Sequence, residues 1–223
     1  MQRTEKTKLR RAKKRKSSST RWLQRQLNDP YVQEARRAGY RARSVFKLEE
    51  IDARFDVVRK GRPLVDLGAA PGSWSQYAAK KGARVVALDL LPMEPIEGVE
   101  ILEGDFLEPA TQDALLARLG GKVATVLSDI APDATGRRLV DRLRAEAVGE
   151  AVVGFACIVL EEDGQLLIKL VKGAETAVMD IARPHFARLR LLRPKATRSD
   201  SSETYLLASG FRPASATVTE TPD

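Results

Sequence analysis

A single cysteine, Cys157, and a single histidine, His185, stand in a chain of 223 residues, and aromatic residues make up only 5% of it. One cysteine excludes an intramolecular disulfide, and its place in the apolar run AVVGFACIVL (151–160) suits burial as a small hydrophobe. One cysteine and one histidine also leave no ligand set for a zinc site, so no metal is expected. His185 reads as a surface or helix-end residue. No window reaches the roughly 18 uninterrupted apolar residues of a membrane helix, and the amino-terminal run is charged, unlike a secretory signal. These absences describe a soluble, cytoplasmic protein with no membrane partner.

Positive charge, by contrast, is in excess and unevenly placed. Residues 1–47 carry sixteen Lys and Arg against Glu5, Asp29 and Glu34, a balance of +13, so the remainder of a chain with formal charge +8 sums to −5. Confinement of the charge to one end reads as an arm that meets a polyanion, most simply a phosphodiester backbone. Such runs also serve as solubilising tails or localisation signals. Trp22, Tyr31 and Tyr40 among the arginines add rings for stacking on bases, which favours RNA. The expected organisation is a basic, disordered RNA-binding arm over 1–21, one domain over 22–212 and a flexible tail over 213–223. The chain is expected to act as a monomer.

From Ala42 to Phe55 the apolar residues Val45, Phe46, Leu48, Ile51 and Phe55 recur at helical spacing, with Lys47 beside the stripe. Beyond Gly61 short apolar runs alternate with longer amphipathic ones. Strands are expected near 63–68, 84–89, 99–103, 123–128, 164–171, 187–192 and 203–208, with helices near 73–81, 110–119, 137–160 and 174–183. This alternation is the signature of an α/β fold with a mostly parallel seven-stranded sheet and helices on both faces. The last two strands have RPKATRSDSS (193–202) and no helix between them, so they should form an antiparallel edge hairpin.

In such sheets ligands lie outside the carboxyl ends of the strands. Four segments put polar or small residues there. Asp66-Leu67-Gly68-Ala69-Ala70-Pro71-Gly72 keeps side chains away from its backbone, yet lacks the spacing of a dinucleotide fingerprint or a P-loop. Asp89, followed by Leu90, stands about 20 residues further on, where an acid suits ribose hydroxyls. Gly104-Asp105-Phe106 offers a carboxylate and a ring for an amino-purine. Ser128-Asp129-Ile130-Ala131-Pro132 closes the fourth strand. Singly each acid is more simply a cap or turn residue; four at successive strand ends describe a nucleoside pocket.

Several blocks, in order, give the chain its resemblance: SVFKLEEID (44–52), VDLGAAPGSWSQY (65–77), DLLPMEPIEGVEILEGDF (89–106), SDIAPDATG (128–136), LLIKLVKG (166–173) and SSETYLLASG (201–210). The chain resembles the S-adenosylmethionine-dependent methyltransferases, and within them the FtsJ (RrmJ) family of ribosomal RNA 2′-O-methyltransferases. The resemblance implies a Rossmann-like methyltransferase fold, S-adenosyl-L-methionine as cofactor, and methylation of a uridine ribose in large-subunit (23S) ribosomal RNA within the ribosomal subunit. It assigns Lys47, Asp129, Lys169 and Glu203 to the family's catalytic tetrad, and places Asp66, Gly68, Ala69, Pro71, Gly72, Trp74, Asp89, Leu90, Asp105, Phe106 and Asp129 around the cofactor.

The chemistry explains the residue types. A ribose hydroxyl is a poor nucleophile and a sulfonium methyl is already activated, so alignment and removal of the hydroxyl proton are the enzyme's tasks. A lysine accepts that proton only when neutral. Burial of Lys169 in LLIKLV and the second cation Lys47 favour the neutral amine, whereas Asp129 and Glu203 favour the charged one. Lys169 alternatively positions the hydroxyl while the proton leaves to water. Two departures from the family stand out: Ser73 follows Gly72 where familiar bacterial members carry a second glycine, and Ser202 stands where many have Arg before the Glu. Other readings are a 2′-O-methyltransferase of transfer RNA or another RNA, and a silent RNA-binding assembly factor, against which the intact tetrad argues.

Overall fold

The computed structural model describes residues 29–198 and 201–213. The expectations for the basic arm over 1–21 and for the tail beyond Pro213 lie outside the described residues.

The first element is a helix the periodicity did not indicate, α1 (Pro30–Arg37). Asp29 caps it by accepting from the Tyr31 amide at 3.0 Å, with Pro30 in the first helical turn. That Asp-Pro pair is its sequence signal, since a capping acid followed by a residue with φ preset for the helix starts one even where the apolar stripe is thin. Next comes α2 (Val45–Phe55), three residues shorter at its start than the apolar spacing suggested. The alternating units follow: β1 (Pro63–Leu67), α3 (Ser73–Lys80), β2 (Arg84–Asp89), β3 (Val99–Glu103), α4 (Pro109–Leu119), β4 (Val123–Ser128), α5 (Arg138–Val159), β5 (Leu160–Leu170), α6 (Glu175–Ala182), β6 (Phe186–Leu192) and β7 (Thr204–Phe211).

All seven strands join one sheet in the order β3-β2-β1-β4-β5-β7-β6. The first five pair in parallel, and β7 lies antiparallel between β5 and β6. The antiparallel pair at the edge is therefore present, and β7 also closes onto β5. Strand order reverses between β1 and β4, which opens a crevice at their carboxyl ends. β5 starts four residues earlier than the apolar run indicated, because Leu160 already pairs with Val123 while Gln165 pairs with Thr125. The extra residues bulge, and Asp163 adopts φ 60 there.

Alternation along the strands sends successive side chains to two cores. On one face Val126, Leu166, Ile168 and Leu206 pack with Val152, Phe155 and Val178 of α5 and α6. On the other, Leu127, Leu167, Tyr205 and Leu207 pack with Leu48, Ile51, Trp74 and Ala78 of α2 and α3. This second face carries Lys169, two residues beyond Leu167.

Candidate active site

Sheet register brings three distant segments together. Ser128 of β4 pairs with Ile168 of β5, so Asp129 and Lys169 follow side by side at the crevice. Lys169 in turn pairs with Tyr205 of β7. Glu203, two residues before Tyr205, shares its face by the period-two rule. Lys47 arrives on α2, seated by Leu48 and Ile51 on the same core. The connection carrying Glu203 is tied back to the first helices: Lys195 donates its amide to Glu50 Oε2 at 2.7 Å, and Arg43 joins Asp29 to the Ala196 carbonyl.

These groups form one hydrogen-bonded chain. Lys47 Nζ donates to Glu203 Oε1 at 2.6 Å and to the Tyr205 hydroxyl at 3.2 Å. Tyr205 donates onward to Asp129 Oδ1 at 3.1 Å. Lys169 Nζ donates to the Asp129 backbone carbonyl and lies 3.1 Å from Asp129 Oδ1. An ammonium has three N–H donors, so among the described residues each lysine keeps one for a substrate. The side chains of Lys47 and Lys169 are only 11% and 10% exposed, so most of each is buried at the mouth of the crevice. Tyr205 is fully buried and was not among the expected site residues. Its signal is the Glu-x-Tyr spacing, which in a strand puts both on one face.

Electrostatics fix the protonation of two members of this chain, Glu203 and Tyr205. Burial opposes ionisation of Glu203, but the hydrogen bond and charge of Lys47, joined by the charge of Lys169, outweigh it and hold the carboxyl below the usual range. Burial, followed by the charges of Asp129 and Glu203, pushes the Tyr205 phenol far above its usual range, so it remains a neutral donor. A neutral hydroxyl thus stands between Lys47 and Asp129.

Beside this chain lies a cleft of about 390 Å3 lined by Gly68, Asp89, Leu90, Asp105, Phe106 and Ile130 among others. Five expected cofactor residues thus line one cavity: Gly68, Asp89, Leu90, Asp105 and Phe106. Asp89 accepts from the Ala70 and Leu91 amides, each at 2.8 Å, and Asp105 accepts from the Leu107 amide at 2.9 Å, so both acids order the loops that bear them. Asp66, Ala69 and Trp74 lie buried beneath the glycine loop. Asp66 Oδ2 takes the Ser75 hydroxyl at 2.6 Å, while its Oδ1 has no hydrogen-bond partner. Burial, with the charges of Asp129 and Asp89, pushes this carboxyl up to about 7 against the Ser75 hydrogen bond.

Local packing differs from the sequence reading in three places. A Cβ on Gly68 would meet the Ile130 nitrogen at 2.7 Å, and one on Gly72 would meet Ile96 Cδ1 at 2.5 Å. Both glycines therefore admit the chain's own neighbouring loops, and both adopt positive φ. Trp74, expected against the cofactor, is 2% exposed, donates its indole N–H to the Ser44 carbonyl at 2.9 Å and packs 5.8 Å from the Tyr205 ring. It seats α2 and the tetrad instead of lining the cleft. Phe106, expected to stack on a base, is 5% exposed and meets Phe155 edge-on at 5.5 Å. The exposed Leu90 and Leu107 give the cleft its apolar surface. Pro71 and Gly72 do not line the cleft and face the 93–96 loop: Arg41, another residue the motifs did not indicate, donates to the Pro71 carbonyl at 3.1 Å and to the Glu94 and Pro95 carbonyls at 2.8 Å each.

The model of the FtsJ-like methyltransferase family matches residues 40–211, the span from Tyr40 through β7. The chain belongs to this family. A ribosomal RNA large subunit methyltransferase E from Gluconobacter oxydans is 46% identical over 207 residues, covering 92% of this chain and 77% of that protein. One of the same name from Rhodopseudomonas palustris is 48% identical over 204 residues, covering 88% and 87%. A crystal structure described as a ribosomal RNA methyltransferase from Plasmodium falciparum shares the fold, with TM-score 0.69 at 23% identity over 77% of this chain and 98% of that one. In this methyltransferase Lys47, Asp129, Lys169 and Glu203 stand together at the carboxyl end of the sheet, next to the cleft at the strand-order reversal.

Proposed function

We propose that this methyltransferase transfers a methyl group from S-adenosyl-L-methionine to the 2′-hydroxyl of a uridine ribose in 23S ribosomal RNA of the large subunit. The observation that carries the reading is the chain Glu203–Lys47–Tyr205–Asp129–Lys169, with one free N–H on each lysine, opening beside the cleft. The names of the relatives at 46% and 48% identity supply the RNA.

The cleft suits a cationic nucleoside. Its volume of about 390 Å3 lies in the range of small-ligand pockets, roughly 300–1,000 Å3. Asp89 and Asp105 line it with Asp66 and Asp129 close by, and although burial is the main cause that raises Asp66, the part contributed by the charges of Asp129 and Asp89 is offset by a positive ligand. When bound, the cofactor supplies a methyl on a positively charged sulfur. The residues of this chain do the rest. The free N–H groups of Lys47 and Lys169 fix the ribose oxygen, Asp129 and Glu203 hold both amines in place, and Tyr205 sets their spacing. As the oxygen–carbon bond forms and the sulfur–carbon bond breaks, the hydroxyl proton passes to an adjacent water, or to Lys169 where its amine is neutral and turns a lone pair rather than an N–H to the hydroxyl.

The basic arm over 1–21 is assigned to the RNA backbone and residues 22–212 to the catalytic domain. A monomer acting in the cytoplasm fits a chain in which no described helix is long and apolar enough to cross a membrane. The test is transfer of labelled methyl to large ribosomal subunits, followed by mapping of the modified sugar. Lys169→Ala should reduce the rate at least about 100-fold, since alignment and proton removal each contribute that much; undiminished transfer would refute the assignment.

A further inference from the structure

Away from the crevice, between the carboxyl end of α2 and the β6–β7 edge, lies an open groove of about 870 Å3. Its floor is polar. Gln165 and Ser209 form part of it, and Gln165, 6% exposed, has an Oε1 without a hydrogen-bond partner. Its walls carry three exposed arginines. The guanidinium carbons of Arg54 and Arg190 stand 5.0 and 5.6 Å from the centroid of the Phe55 ring, and Arg188 follows Arg190 on the same face of β6. Lys81 and Arg59 at the margin have Asp52 and Asp56 at 2.6 and 3.9 Å. Arg54, Arg188 and Arg190 have no acid partner among the described residues.

We propose that this groove is a second RNA-contact site, which takes an unpaired segment of the same RNA a few nucleotides from the methylated ribose. The inference rests on the reading of the protein as an RNA methyltransferase. A polar floor under unpaired guanidinium groups rejects the apolar face of a docking helix and selects an anion with polar edges. Guanidinium planes held against an aromatic ring present flat faces to nucleobases and forked donors to phosphates. The groove is also in line with the catalytic centre. Glu203, Tyr205, Leu207 and Ser209 occupy alternate positions of one strand face, so the tetrad and the groove floor are separated by about 20 Å at about 3.3 Å per residue. An RNA strand that delivers its ribose to Lys169 and continues along the exposed β6 edge, outside the α2 that covers Tyr205 and Leu207, passes over Arg190 and Arg188.

The test compares the full-length wild type with Arg188→Glu/Arg190→Glu and Arg188→Gln/Arg190→Gln, on transcribed 23S RNA and on large subunits. Both RNA binding and methyl transfer are measured. The charge reversal should raise KM for either substrate about tenfold or more and make the log-affinity against log-salt slope shallower by about 1.5, two phosphate contacts' worth. The glutamine variant should fall between. kcat at saturating RNA and KM for S-adenosylmethionine should stay within about twofold. Unchanged RNA affinity and salt slope would overturn the proposal. So would a loss confined to assembled subunits, because that places a ribosomal protein, not RNA, in the groove. Wild-type protein that binds RNA in a salt-dependent way but transfers no methyl group would refute the proposed function and leave the groove to be judged by binding.

Discussion

Replacing Asp66 by asparagine tests the electrostatic account of the cleft at its most buried point. The carboxyl is fully buried, one oxygen unpartnered, and its pKa is pushed from 3.8 up to about 7. An acid raised in the folded state binds a proton more tightly there than in the unfolded chain. Its effect is therefore neutral below about 4, and stability is lost progressively as pH rises towards 7. Ionisation in place costs up to about 4 kcal/mol, at 1.36 kcal/mol for each pH interval between the two values. Linkage puts the loss between pH 5 and pH 8 at about 2.5 kcal/mol. Urea unfolding of wild type and Asp66→Asn at both pH values isolates this from other titrating groups. The stability difference between the two proteins should shift by about 2.5 kcal/mol in favour of the variant from pH 5 to pH 8. A difference independent of pH would refute the buried, raised carboxyl. In the cleft the sign reverses, because a cationic ligand favours the carboxylate. S-adenosylmethionine should bind wild type more tightly as pH rises through about 7, and this dependence should vanish in the variant.

Tyr205→Phe keeps the ring against Trp74 but removes the hydroxyl between Lys47 and Asp129. With hydrogen bonds to charged groups at about 1.5–3 kcal/mol, kcat should fall about 10- to 100-fold with cofactor affinity nearly unchanged; single-turnover methylation reads this, and an unaltered rate removes Tyr205 from the chain. Glu203, held below the usual carboxylate range, adds stability that is present above its unfolded pKa and lost as pH falls through the folded value. Glu203→Gln should therefore melt below wild type at pH 7, and the gap should begin to narrow only as pH falls below the ordinary Glu value of about 4.3, closing below the lowered folded value; a gap that persists in acid would mean the loss is steric.

Much of this molecule is legible along the chain because its signals are local. Runs such as VATVLS and RVVALD can only be strands buried on both faces, and the long apolar stripe of α5 can only be a covering helix. Lys169 in the middle of LLIKLV is conspicuous for the same reason, since a lysine in an inner strand needs partners. Other features depend on neighbours that sequence spacing does not indicate. Small residues at Gly68 and Gly72 suggest close approach, but the approaching groups are Ile130 and Ile96, from loops 62 and 24 residues away in the chain. Trp74 and Phe106 are aromatic in the expected loops, yet their rings turn into the two cores.

The sequence by itself determined the types of the elements from α2 to β7 and the arm's charge, because periodicity and composition act over a few residues, while the four tetrad positions came from the resemblance of ordered blocks to a known family. Only the tertiary structure decided the strand order that inserts β7 between β5 and β6, and with it the pairing of Tyr205 with Lys169. That pairing makes separate charged residues into one hydrogen-bonded chain. It also leaves the α2 side of β6 open, where Arg188 and Arg190 line the groove. Both follow from non-local register, which no window of the sequence contains.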